Sequence, residues 1–159
     1  LLRSKETELL PFTLNFWPNP ENGQTLVTID YELTNVDSIL NQVMIYIPCP
    51  SDEPPEIKNC EIGNYQYDVK NQQLIWLIPI VDHDNDTGTL EFMVSEMDEE
   101  LFYPINIHYQ SQSTYSNISV DSISILTTDG QEQNEDQEGP FEFTTNTILN
   151  AKYTIQQEE

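Results

Sequence analysis

Basic residues are nearly missing from this chain. Five Lys and Arg stand against 28 Asp and Glu in 159 residues, a formal net charge of -23. So few cations exclude nucleic acid as a partner, because that binding needs a positive footprint. They equally exclude docking on anionic lipid through this segment. Long apolar runs are missing too, and none approaches the ~20 residues of a membrane-spanning helix. The only cysteines, Cys49 and Cys60, permit at most one disulfide. Such sparse usage predicts free thiols in a reducing compartment. His83 and His108 are too few and too far apart for a histidine-based zinc site. There is no Gly-rich phosphate loop, no Gly-x-Ser-x-Gly elbow and no Cys-x-x-Cys. No residue is therefore assigned a catalytic or metal-binding role, and no cofactor is implied. The start, Leu1-Leu2-Arg3-Ser4-Lys5-Glu6, offers neither a signal-peptide core nor an initiator Met, which predicts a piece of a longer chain.

What the chain does hold is bulky core material, with eight Tyr, six Phe and two Trp, set almost everywhere in a period of two. Phe12, Leu14 and Phe16 alternate with Thr13 and Asn15. Pro18-Asn19-Pro20-Glu21-Asn22-Gly23 reads as a loop by its turn residues. Val27, Ile29, Tyr31 and Leu33 alternate with Thr28, Asp30 and Glu32 as a half-solvated strand. Val36 to Leu40 suggests one short helical turn. Val43, Ile45 and Ile47 alternate with Met44 and Tyr46, and Pro48 ends that strand. Weaker strands flank Gly63. Leu74 to Pro79 and Thr89 to Val94 read as a β-hairpin with facing pairs Ile78–Leu90, Trp76–Phe92 and Leu74–Val94. That register puts Ile75 opposite Met93 and Leu77 opposite Glu91 on the reverse face.

Ser95 to Glu100 is a charged break and the best candidate boundary between two sub-structures. Ile105, Ile107 and Tyr109 alternate next. A phase change near Asp121-Ser122 predicts a β-bulge. The acidic, Gln-rich stretch 128–139 predicts a mobile loop, and Phe141 and Phe143 open a last strand. Strands at this spacing predict an all-β antiparallel sandwich.

Met44, Tyr46, Ile75, Leu77 and Met93 all fall on the parity opposite the core. If their strands are neighbours they form one apolar patch, the candidate partner-binding surface. Asp82, Asp84 and Asp86 alternate as in a Ca²⁺ loop, but Thr87 and Met93 stand where that loop needs Gly and Glu, so the segment reads first as a solvated loop. Together with the sequons at Asn85 and Asn117, these residues leave one alternative open: an extracellular Ca²⁺- or carbohydrate-binding β-sandwich.

A succession of blocks resembles the coatomer delta-subunit family in order and spacing. Leu10 to Pro18, Val27 to Leu33 and Val43 to Pro50 (ending Ile-Pro-Cys-Pro) are followed by Tyr65-Gln66-Tyr67-Asp68 and Leu74 to Asp82. Thr87 to Phe92, Phe102 to Ile107 and Pro140 to Thr147 then precede Lys152-Tyr153. The resemblance implies the later part of a mu-homology domain, the β-structure shared with the medium chains of clathrin adaptors. It implies that residues 1–8 are linker or disordered. Residues 9–97 would be an inserted β-sandwich subdomain, and 98–159 the closing strands of another. It further implies a non-enzymatic subunit of the COPI coat, cytoplasmic and peripheral on Golgi membranes and coated vesicles, acting in Golgi-to-ER and intra-Golgi transport. The implied partners are other coatomer subunits and short tryptophan-containing motifs of tethers and Arf GTPase-activating proteins. Acidic peptides are disfavoured by the net charge unless Lys58 or Lys70 lies at the pocket.

Overall fold

The computed structural model describes residues 11–51, 53–95, 97–112 and 148–156. Among the described residues nine strands run in chain order: β1 (Phe12–Glu21), β2 (Gln24–Leu33), β3 (Leu40–Pro48), β4 (Glu56–Cys60), β5 (Asn64–Asp68), β6 (Gln73–Val81), β7 (Thr87–Ser95), β8 (Ile105–Ser111) and β9 (Leu149–Ile155). A 3-10 turn, Glu99–Phe102, lies between β7 and β8. The strands form a four-stranded sheet, β1-β2-β7-β4, and a five-stranded sheet, β5-β6-β3-β8-β9, with every pairing antiparallel. The predicted antiparallel β-sandwich is thus the observed architecture.

One shared core joins the two sheets. Val27, Ile29, Tyr31, Leu90 and Phe92 from the first meet Ile45, Ile47, Leu74, Trp76 and Ile78 from the second, all almost fully buried. Aromatic rings bridge the layers, with Tyr31 to Trp76 at 5.7 Å between centroids and Phe12 to Tyr109 at 6.2 Å. Fully burying side chains of this size is worth about 1.5–3 kcal/mol each. The predicted alternation of β2 is borne out residue by residue: Val27, Ile29, Tyr31 and Leu33 point inward, while Thr28, Asp30 and Glu32 point out.

The predicted hairpin is not formed. Leu74, Trp76 and Ile78 do share the core with Leu90, Phe92 and Val94. However, β6 pairs with β3 and β5, and β7 pairs with β2 and β4. The two apolar rows therefore face each other across the sandwich instead of lying side by side in one sheet. The connection from Asp82 to Asp86 explains the difference. Its course is fixed by Asp82 Oδ1, which accepts the N–H groups of Asp84 (3.0 Å) and Asn85 (3.2 Å). The Asn85 carbonyl then accepts the Tyr31 hydroxyl at 3.1 Å, and the Asp86 carbonyl accepts Leu33 N–H at 2.7 Å. These bonds hand the chain to β2 of the opposite sheet, a crossing of the ~10 Å that separates packed sheets.

Two further expectations are corrected. The Pro18–Gly23 loop is mostly strand: β1 runs to Glu21, and only Asn22 and Gly23 turn, with φ of 53° and 79°. Two successive positive φ values make the tight hairpin turn that Asn-Gly favours. Val36 to Leu40 holds a turn in which Asp37 N–H meets Asn35 Oδ1 at 3.1 Å, and no helix. Across 97/98 the described strands share one cluster. β8 pairs with β3, and Phe102, Ile105, Ile107 and Tyr109 enter the same cluster as the strands before them. The charged break is a passage between sheets, tied where Thr25 Oγ1 accepts Met97 N–H at 3.2 Å. Segment 1–8, the bulge near Asp121, the acidic stretch 128–139 and the strand opened by Phe141 lie outside the described residues.

Candidate functional site

The outer face of the five-stranded sheet is where register collects the predicted patch. One row across it reads Gln66, Ile75, Tyr46, Asn106, Thr154, and the next reads Asn64, Leu77, Met44, His108, Lys152. Met44, Tyr46, Ile75 and Leu77 therefore form a contiguous two-by-two apolar block, each half-buried, at the centre of the sheet. Strand spacing of ~4.8 Å and a repeat of ~6.7 Å along each strand put all four within mutual reach. Met93 is not part of it. It sits on β7, facing outward from the other sheet. The period of two assigned its parity correctly, but parity cannot say which of two sheets a strand joins.

The block is stiffened from its β8 side. The Tyr46 ring lies 4.9 Å from that of His108, and the Tyr46 hydroxyl meets Met44 Sδ at 3.4 Å. His108 Nε2 is fully covered and has no hydrogen-bond partner among the described residues. Burial first, and the Lys152 ammonium second, hold the His108 pKa below its ordinary value of 6.5. The imidazole is thus neutral in the fold near neutral pH. The unfolded chain binds that proton more readily, so the His108 contribution to stability is full above pH 6.5 and is lost as pH falls below it. His108→Gln is expected to flatten that segment of the pH–stability curve. Denaturant titrations of both proteins from pH 7 to about pH 5 check it, and parallel curves would refute it.

Charge sets this face apart. In a chain with 28 carboxylates, the only one on the described strand positions of this face is Asp68, at the end of β5. Asp68 is occupied by the β5–β6 turn: it accepts N–H from Lys70 (3.0 Å) and Asn71 (3.1 Å) and the Asn71 side-chain amide (2.7 Å). The bonds from Asn71 hold its carboxyl below the usual range. Lys152 provides the positive charge, on β9 beside His108. Of the two lysines named from sequence, Lys58 lies in the other sheet, paired with Glu56 at 2.7 Å, and Lys70 lies in the β5–β6 turn. Beside the apolar block, Gln42, Met44, His108, Gln110, Asn150 and Lys152 line a shallow pocket of about 260 Å³. Gln42, at φ 50°, marks a bulge of β3 against β8 that opens this corner. His108 and Lys152 escaped the sequence reading because only the pairing of β3 with β8 and β9 brings them to the block.

The other constellations assemble less. Asp82, His83 and Asp84 can each bring a ligand atom within 4.8 Å of the others, but Asp86 does not join them. The Asp82 carboxylate is already engaged with backbone N–H groups, so the predicted Asp82–Asp84–Asp86 set is not a formed Ca²⁺ cage. Cys49 is buried in the core and Cys60 half-buried on β4, both as free thiols, and burial pushes the Cys49 pKa up to about 12. Such a thiol is inert packing material.

The outer face of the five-stranded sheet thus carries a four-residue apolar block, with one carboxylate on its described strand positions. The family model of the adaptor complexes medium subunits matches residues 2–157. The chain belongs to the adaptor complexes medium subunit family. Among curated relatives, a coatomer subunit delta of Arabidopsis thaliana is 32% identical over 120 residues, 75% of this chain and 22% of the relative. A probable coatomer subunit delta of Caenorhabditis elegans is 29% identical over 147 residues, 92% of this chain and 26% of the relative. The chain therefore spans about a quarter or less of these relatives' length. Among solved structures, the yeast delta-COP-I mu-homology domain complexed with a Dsl1 WxWxV peptide superposes with a TM-score of 0.63 at 20% identity, over 96% of this chain and 59% of that one. The Fcho1 mu-homology domain of Danio rerio, with a bound Eps15 peptide, gives 0.55 at 17% identity, over 72% of this chain and 43% of that one. These likenesses establish the mu-homology fold, and the described residues include no helix long and apolar enough to cross a membrane.

Proposed function

We propose that this chain is part of a delta subunit of the COPI coat and serves as a protein-binding module with no chemistry of its own. The observation that carries the reading is the family match over nearly the whole chain, joined to relatives that are coatomer delta subunits. On this reading the protein works in the cytoplasm, on Golgi membranes and coated vesicles, in Golgi-to-ER and intra-Golgi transport. Its partners are other coatomer subunits, together with tryptophan-containing motifs in tethers and Arf GTPase-activating proteins. The block formed by Met44, Tyr46, Ile75 and Leu77 is the proposed seat for those tryptophans.

Energetics favour a modest affinity. Each tryptophan side chain laid on the block gains up to ~3 kcal/mol of burial. Ordering an extended peptide offsets much of this, which leaves a dissociation constant on the order of micromolar. Calorimetry of the full chain with a WxWxV peptide tests the seat. Leu77→Asp puts a charge in the centre of the block, on a half-buried and outward position, and is expected to abolish binding while circular dichroism stays unchanged. Unchanged affinity in that variant removes this face from consideration. Failure of the tagged chain to retrieve other coatomer subunits from cells would overturn the coat assignment itself.

A further inference from the structure

The two outer faces of the sandwich differ in charge: the five-stranded sheet sets Lys152 against Asp68, and the four-stranded sheet is acidic. The four-stranded sheet presents Asp30 and Glu32 on β2 and Glu91 on β7, all on positions that point away from the core. Among them lie three apolar side chains: Trp17 on β1, 52% exposed, and the half-buried cross-strand pair Leu26 and Met93. Register sets Trp17 beside Thr28, and Thr28 beside Glu91, in one row, with Asp30 in the next row. Asp30 Oδ1 is fully covered, yet no donor among the described residues reaches it. The nearby cation, Lys58, is engaged by Glu56 at 2.7 Å on the rim strand β4.

We propose that this face is a docking surface for an extended, lysine- or arginine-rich segment of a partner protein. The chemistry of this face selects that occupant. A half-exposed indole attracts a cation to its ring face. Carboxylates one and two strands away supply charge complementarity, and Leu26 and Met93 cover the aliphatic stems of long basic side chains. An acidic ligand, or a second copy of this chain, would be repelled by the same carboxylates. This surface is independent of the tryptophan-motif seat on the opposite sheet, so one domain would hold two ligands of unlike chemistry at once.

The test uses the full chain and a short synthetic peptide of alternating lysine and serine, with an alternating glutamate–serine peptide as control, followed by fluorescence anisotropy. Binding of the basic peptide alone, weakening as salt rises, is expected. Trp17→Ala is expected to weaken it about two- to fivefold, the loss of one exposed cation–π contact. Glu91→Lys is expected to weaken it about tenfold or more through reversal of a central charge. Both positions point outward, so folding is checked simply by an unchanged near-ultraviolet spectrum for Glu91→Lys. Leu77→Asp, on the far face, is expected to leave this affinity unchanged. Salt-sensitive binding that neither Trp17→Ala nor Glu91→Lys alters would trace to the net charge of the whole chain and overturn the proposal. No binding, or equal binding of the acidic control, would overturn it as well.

Discussion

Gly63→Ala is expected to destabilise the protein by about 2–5 kcal/mol, a large share of the ~5–15 kcal/mol that holds a domain folded. Gly63 joins β4 to β5 with φ of 80°, a conformation that costs an L residue about 1–2 kcal/mol. Space is the second obstacle. A Cβ at Gly63 would fall inside van der Waals contact of the Leu77 carbonyl oxygen, 3.1 Å from its carbon and 3.2 Å from Ile78 Cα. All three atoms are backbone of β6, a strand paired on both sides, so relief requires moving a strand, with a further ~1–3 kcal/mol at stake. Gly23 supplies the control. It has nearly the same φ, 79°, but nothing lies within 4 Å of its would-be Cβ, so Gly23→Ala should cost only about 1–2 kcal/mol. Urea midpoints of the two variants measure the difference directly. Equal shifts would show that the close approach to Leu77 is not a constraint.

Trp76→Ala is expected to cost about 4–5 kcal/mol, near the top of the range for an aromatic truncated in a core. Trp76 is completely buried at the centre of β6, and its ring packs 5.7 Å from Tyr31 of the other sheet. Its indole N–H also donates to the Ile62 carbonyl at 2.9 Å, pinning the residue just before Gly63. Trp76→Phe keeps most of the volume but removes that donor and leaves the Ile62 carbonyl only the weaker Cys60 thiol at 3.4 Å, an added loss of about 0.5–1.5 kcal/mol. The two substitutions therefore separate packing from anchoring. A Trp76→Phe variant as stable as the parent would refute the anchoring role, and Trp76→Ala costing under about 2 kcal/mol would refute the packing role.

Side-chain parity was legible in the sequence, and strand partnership was not. The period of two identified the inward rows of β2, β3, β6 and β7 correctly, because burial of alternate residues is a property of each strand alone. The pairing of β6 with β7 was misread because two apolar rows that meet across a sandwich look, along the chain, like two rows that meet within a sheet. What distinguishes them is the path of Asp82 to Asp86, and that path depends on Tyr31 and Leu33, about fifty residues earlier. Pro18 and Pro20 were misread as loop for a related reason: only an edge strand tolerates them, and edge position is a property of the whole sheet. Four of the five proposed contact residues were brought together by β3 pairing with β6, while Met93 followed β7 to the other layer.

Those two prolines have a consequence for assembly. In β1 they lie two residues apart, at Pro18 and Pro20, and so share one orientation on the rim of the four-stranded sheet. A proline that pairs with a neighbour must keep its nitrogen turned outward, where no ladder bond is needed. Along that stretch of the rim, two successive docking points for a foreign strand are therefore blank, and a second molecule that tried to extend the sheet would find nothing to grip. That end of β1 is thereby closed to strand addition, while the broad faces of the sandwich stay open to other molecules.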